Sequence, residues 1–147
     1  MRWILAFFGV LNLVFGVLGL LQFGYQLSWH WSRWHFPFYA WIVFLLMSTI
    51  SLFLVVTLGY LGILLLQGKR SAVVKTAWVC VAEVAYVVVD VVLFWRIYPD
   101  PHISIGFWGN AQAPLTPQLI AAYPVITLVA MLLIYRRLRN AGELSVG

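Results

Sequence analysis

The chain has 147 residues, of which 64% are hydrophobic and only 9% are Asp, Glu, Lys or Arg, and its mean hydropathy is +0.98. A soluble domain carries about a quarter of its residues as charges, so this composition excludes a water-facing surface and predicts one domain immersed in lipid. The formal charge of +5 does not point to nucleic acid, because the basic residues fall in short flanks of apolar stretches rather than in a patch.

Four apolar stretches predict helices over about 3–23, 38–66, 73–98 and 115–135, each near the roughly 20 residues that cross a bilayer. Only helices and closed barrels satisfy every backbone group in lipid. Runs such as Phe53-Leu54-Val55-Val56 lack the alternation of a barrel strand. The expected fold is therefore all-α, an integral membrane four-helix antiparallel bundle that uses residues 1–147 as a single transmembrane domain.

The first stretch follows Met1-Arg2 in the manner of a signal peptide, but its apolar run exceeds a normal h-region and no small-x-small site follows. It is expected to persist as the first membrane helix. Within it Gly9, Asn12, Gly16 and Gly19 recur at steps of three and four, which puts them on one stripe. The second stretch carries a comparable stripe of Ser48, Ser51, Val55, Gly59 and Gly62. Lipid offers no hydrophobic drive between helices, so close packing at small residues and interhelical hydrogen bonds must join them. The two stripes either meet within the hairpin or face another subunit. A short echo, Gly16-Val17-Leu18-Gly19-Leu20-Leu21 against Gly59-Tyr60-Leu61-Gly62-Ile63-Leu64, reads as helix packing or as an inverted duplication of the transporter kind.

The third stretch holds Glu83 and Asp90, seven residues and roughly 10 Å of rise apart on one face shared with Tyr86 and Thr76. An acid in mid-membrane costs about 2.5 to 3.5 kcal/mol on insertion scales. Both carboxyls are accordingly expected to point into the bundle, Glu83 near the midplane and Asp90 nearer the outer interface. Asn12, Ser48, Ser51 and Thr127 are the polar groups expected to meet them. Such a pair can carry a proton or bind a cation; alternatively, hydrogen-bonded carboxyls pin the helices in register. Cys80 is the single cysteine, so neither an intrachain disulfide nor a C-x-x-C pair exists.

Two outer connectors carry the histidines, His30 and His35 in the first and His102 after Asp100-Pro101 in the second. Three imidazoles with Asp100 make a candidate metal shell, yet the spacing of His30 and His35 matches no ligand motif. Anchoring at the headgroups, alongside Trp29, Trp31, Trp34, Trp95, Trp108, Tyr25, Tyr39 and Tyr98, is the expected role. No metal, haem or other cofactor is expected. In the fourth stretch Pro124 removes a backbone donor and crowds the carbonyl of Ile120, which predicts a kink. The tail from Arg136 onward is expected to be a frayed helix end whose basic cluster attracts anionic lipid.

Arg2, Lys69, Arg70, Lys75, Arg136, Arg137 and Arg139 fall on one side, against Arg33 and Arg96 on the other. Short basic loops stay in the cytoplasm, so both termini are expected to be cytoplasmic. No nucleotide-binding, hydrolase or zinc-protease motif is present. The expected function is that of a non-enzymatic multi-pass membrane protein, either a homo-oligomer or an accessory subunit of a larger membrane complex. The alternative is a small proton- or cation-coupled transporter or channel using Glu83 and Asp90, with Tyr86 and Asn12 along the path. An outer-surface metal or haem protein is the third reading. The partner common to all is the lipid bilayer, and a bacterial inner membrane is the expected location.

Overall fold

Phe38 to Leu66 contains no Asp, Glu, Lys, Arg or His, and it forms one uninterrupted helix. The computed structural model describes residues 2–31, 38–97 and 117–140, which are all-helical apart from the turn between the second and third helices and contain no strand. The elements are α1 (Arg2–Trp31), α2 (Phe38–Leu66), α3 (Ser71–Ile97) and α4 (Pro117–Asn140). Segments Arg2–Gly24, Leu45–Leu66 and Ser71–Asp90 are long and apolar enough to cross a membrane.

Two helices outrun their expected ends. No proline or charged residue stands between Phe23 and Trp31, so α1 continues to Trp31 and reaches about 45 Å at 1.5 Å per residue. His30 thus belongs to the last turn of a helix and not to a connector. At the other end of the chain, α4 runs through Tyr135 to Asn140, so Arg136 begins no frayed tail. Arg137 and Arg139 lie in its last turn, and cations there offset the negative end of the helix dipole. Pro124 lies inside α4, and the helix continues on both sides of it. The connectors with His35, Asp100 and His102, the tail after Asn140, and the side chains of His30 and of the expected aromatic belt lie outside the described residues.

The turn between α2 and α3 closes by a Schellman motif. Gly68 takes a φ of 74°, its N–H donates to the Leu65 carbonyl at 2.9 Å, and the Lys69 N–H donates to the Leu64 carbonyl at 3.0 Å. The left-handed conformation at that position favours glycine. The Ala72 and Val73 N–H groups then donate to the carbonyls of Lys69 and Arg70, which starts α3.

The α1–α2 hairpin is the tightest pair in the bundle. A Cβ on Gly16 would stand 3.0 Å from Gly59 Cα, one on Gly62 only 2.8 Å from the Gly9 carbonyl, and one on Gly19 2.7 Å from Val55. The two small-residue stripes therefore face each other within the chain, while the echoing segments touch at their first residues, Gly16 and Gly59, and run apart from there, Gly19 lying against Val55 and Gly62 against Gly9 and Asn12. Beyond this hairpin, the close helix pairs are α3 with α4 and α2 with α3. At the end where α1 begins and α4 ends, Leu5, Leu61, Leu65, Ala72, Val73, Met131, Ile134 and Leu138 form a buried apolar cluster. A second cluster, Met47, Val55 and Tyr86, lies toward the opposite end and is flanked by Phe15, Leu18 and Phe23. The outward faces carry bare apolar side chains, with Phe53 73% and Trp78 70% exposed.

Candidate functional site

Polar side chains collect on the inner face of α3. Thr76, Cys80, Glu83, Tyr86 and Asp90 follow one another at steps of three and four, so one stripe of the helix carries them. Thr76, Cys80, Tyr86 and Asp90 are buried and Glu83 is half-buried. Val81, Val88, Val89 and Val92 lie exposed on the outward side.

Glu83 borders a cavity of about 50 Å³ to which every helix contributes: Phe15 from α1, Ser51 from α2, Glu83 and Tyr86 from α3, and Tyr123 and Pro124 from α4. A water needs roughly 10 to 15 Å³ of such volume and two or more polar partners, so the space has room for a few waters, with Ser51, Glu83, Tyr86 and Tyr123 as the polar side chains on a mostly apolar lining. Glu83 Oε2 and Ser51 Oγ are enclosed and have no hydrogen-bond partner in the protein. Enclosed, unpaired oxygens are costly in a low-dielectric interior. A ligand or proton that engages them offsets that cost.

The partners expected for the acids are otherwise engaged or stand apart. Asn12 is fully buried, and its Oδ1 accepts a hydrogen bond from the Tyr123 hydroxyl rather than from a carboxyl of α3. The Tyr123 ring stacks on Phe15 at 3.7 Å between centroids and 9° between planes. A polar and an aromatic residue of α1 thus hold this tyrosine, which sequence reasoning passed over because a lone aromatic in an apolar helix gives no signal. Ser48, Ser51 and Thr76 are buried with hydroxyls that find no partner within the protein. Thr127, also fully buried, lies one turn past Tyr123 on α4. Thr49 and Thr57, turned away from the core, satisfy themselves through the carbonyls of Leu45 and Phe53 at 2.8 and 2.7 Å.

A second residue was missed. Gln22 is fully buried, and both atoms of its amide lack a partner. Its signal was available in the spacing, since it extends the Gly9, Asn12, Gly16, Gly19 stripe by one more step of three. Gly19 lies against Val55, and one further turn along each antiparallel helix brings Gln22 level with Ser51. The inner polar set therefore runs from Thr76 and Asn12 through Glu83 to Ser51, Gln22 and Asp90.

Among the described residues no three of His, Cys, Asp and Glu come together in a way that could hold a metal ion. His35, His102 and the side chain of His30 fall outside those residues. No protein-family model, no curated protein and no solved structure matches this chain.

Proposed function

We propose that the chain is a non-enzymatic multi-pass membrane protein of four spanning helices, termini cytoplasmic, in a bacterial inner membrane. Its bundle binds a proton or a small cation at Glu83, as part of a small proton- or cation-coupled transport route on which Asp90 is the outer acid. The observation that carries this reading is the enclosed, unpartnered Glu83 oxygen on a cavity that all four helices line. An acid in a lipid-bathed bundle is costly, and a carboxyl kept clear of Asn12 is free to take a ligand. The exposed Phe53, Trp78 and Ile126 support lipid as the surrounding solvent. α4 serves as the fourth span, since its 24 residues reach about 36 Å.

A packing or accessory-subunit role is the second reading, supported by the bond from Tyr123 to Asn12 and the glycine contacts of α1 with α2. Those contacts fix all the helices but α3 without any ion. Proteoliposomes loaded with a pH-sensitive dye separate the two under imposed proton, sodium and potassium gradients. Flux above that of empty vesicles, lost in Glu83→Gln protein that still elutes as a folded species, supports the transport route. Equal flux for wild type and Glu83→Gln sinks it and leaves the assembly role. For topology, a Lys69→Cys probe in a Cys80→Ala background should resist an impermeant maleimide in intact cells and react after permeabilisation.

A further inference from the structure

A second concavity, distinct from the Glu83 cavity, opens along the seam between α1 and α4 at the basic end of the bundle. Its volume is about 250 Å³; Ile4 and Phe8 of α1 form one wall, and Ala130, Leu133 and Ile134 of α4 the other. Arg137, one turn past Leu133 on the same helix, is the one charged residue among the described residues that line it and is exposed. The seam is open because α1 packs closely on α2, and α4 on α3, while α1 and α4 do not form a close pair. Ala130, the smallest wall residue, leaves the space unfilled.

The chemistry of the walls and rim selects the occupant. Aliphatic and aromatic walls fit a hydrocarbon chain, whereas a guanidinium at the mouth fits a planar pair of anionic oxygens, a phosphate above all. Arg2 stands two residues before Ile4, and Arg136 and Arg139 lie within two residues of Arg137, so the charges that the described residues bring to this end are positive. The acids among the described residues are Glu83 and Asp90. Glu83 lies twelve residues into α3, about 18 Å of rise from that end, so neither acid is placed to neutralise the rim. Basic pockets between spanning helices on the cytoplasmic side hold anionic headgroups.

We infer that the α1–α4 groove binds an anionic phospholipid, one acyl chain lying between Phe8 and Leu133 and the phosphate engaging Arg137. The inference rests on the membrane reading of the chain and is independent of whether Glu83 transports anything.

The test is native mass spectrometry of the purified protein in detergent, titrated with phosphatidylglycerol, with phosphatidylcholine of the same chains, and with inorganic phosphate alone. Phosphatidylglycerol should bind in preference to phosphatidylcholine, and Arg137→Gln should weaken it by about fivefold, the worth of one cation near an anionic lipid. Ala130→Leu and, more severely, Ala130→Phe should lower the binding of both lipids by filling the groove while Arg137 remains. Equal binding of the two lipids, an unchanged affinity in Arg137→Gln, or displacement of lipid by inorganic phosphate would each overturn the site. Carbonate extraction of native membranes, run in parallel, keeps the two readings apart. A chain retained in membranes that fails the lipid test loses only the groove, and a chain released into the soluble fraction loses both.

Discussion

The Tyr123 hydroxyl on α4 donates a hydrogen bond to Asn12 Oδ1 on α1, joining residues 111 positions apart across a bundle whose α1–α4 seam is otherwise loosely packed. Phe15, three residues on from Asn12, stacks on the same tyrosine ring. One side chain therefore makes both a polar and an aromatic bridge between the two hairpins.

Removing either half of that bridge should cost stability. Tyr123→Phe keeps the stack and strands Asn12 Oδ1, at a cost of about 1 to 3 kcal/mol for a buried unsatisfied acceptor. In a double-mutant cycle with Asn12→Ala, read by unfolding in mixed micelles, the coupling should be about 0.6 to 1.7 kcal/mol, the range for interhelical bonds in membrane bundles. Strict additivity would mean that the two side chains do not stabilise each other.

The glycines of the α1–α2 crossing should differ sharply in tolerance. A Cβ on Gly62 would meet the Gly9 carbonyl at 2.8 Å and Asn12 Cβ at 3.0 Å, whereas one on Gly59 would find its nearest neighbour at 4.0 Å. Gly62→Ala should therefore destabilise by about 1 to 3 kcal/mol through overpacking. Gly59→Ala should be neutral or gain up to about 1 kcal/mol from helix propensity. Thermal unfolding of the two single variants decides it, and a reversed order would contradict the crossing.

Gln22 offers a substitution expected to stabilise. Its buried amide lacks partners on both atoms, so Gln22→Leu, similar in volume, removes a desolvation cost of about 1 to 3 kcal/mol. A rise in the unfolding midpoint is the expected result. A marked fall would mean that the amide holds ordered water or a ligand.

The turn after α2 depends on the left-handed residue Gly68. Gly68→Ala should cost about 1 to 2 kcal/mol, the penalty for an L side chain in that conformation, while nothing else stands within 4 Å of the new methyl. Gly24→Ala, which also meets nothing within 4 Å but is helical, should instead be neutral or mildly stabilising. Comparable losses at both sites would argue against the Schellman closure.

The helical class of this chain, the polar stripe of α3 and the glycine stripes of α1 and α2 are legible in the amino-acid order alone, because each depends only on composition and on 3.6-residue periodicity. Periodicity tells which residues share a face but not which face they meet. Three matters therefore belong to tertiary structure: that the glycine stripes close on each other, that Asn12 engages Tyr123 instead of Glu83 or Asp90, and that Glu83 borders a cavity reached from every helix. Hydropathy also places the helix ends short of Trp31 and Asn140, since it measures how far a helix stays apolar and not how far its backbone bonds continue. Sequence by itself determined that these residues form apolar helices with an acidic inner stripe, a consequence of local chemistry. The pairing of those helices, and with it the choice of which polar groups are satisfied and which are left facing a cavity, was decided by packing between residues far apart in the chain, Asn12 and Tyr123 among them.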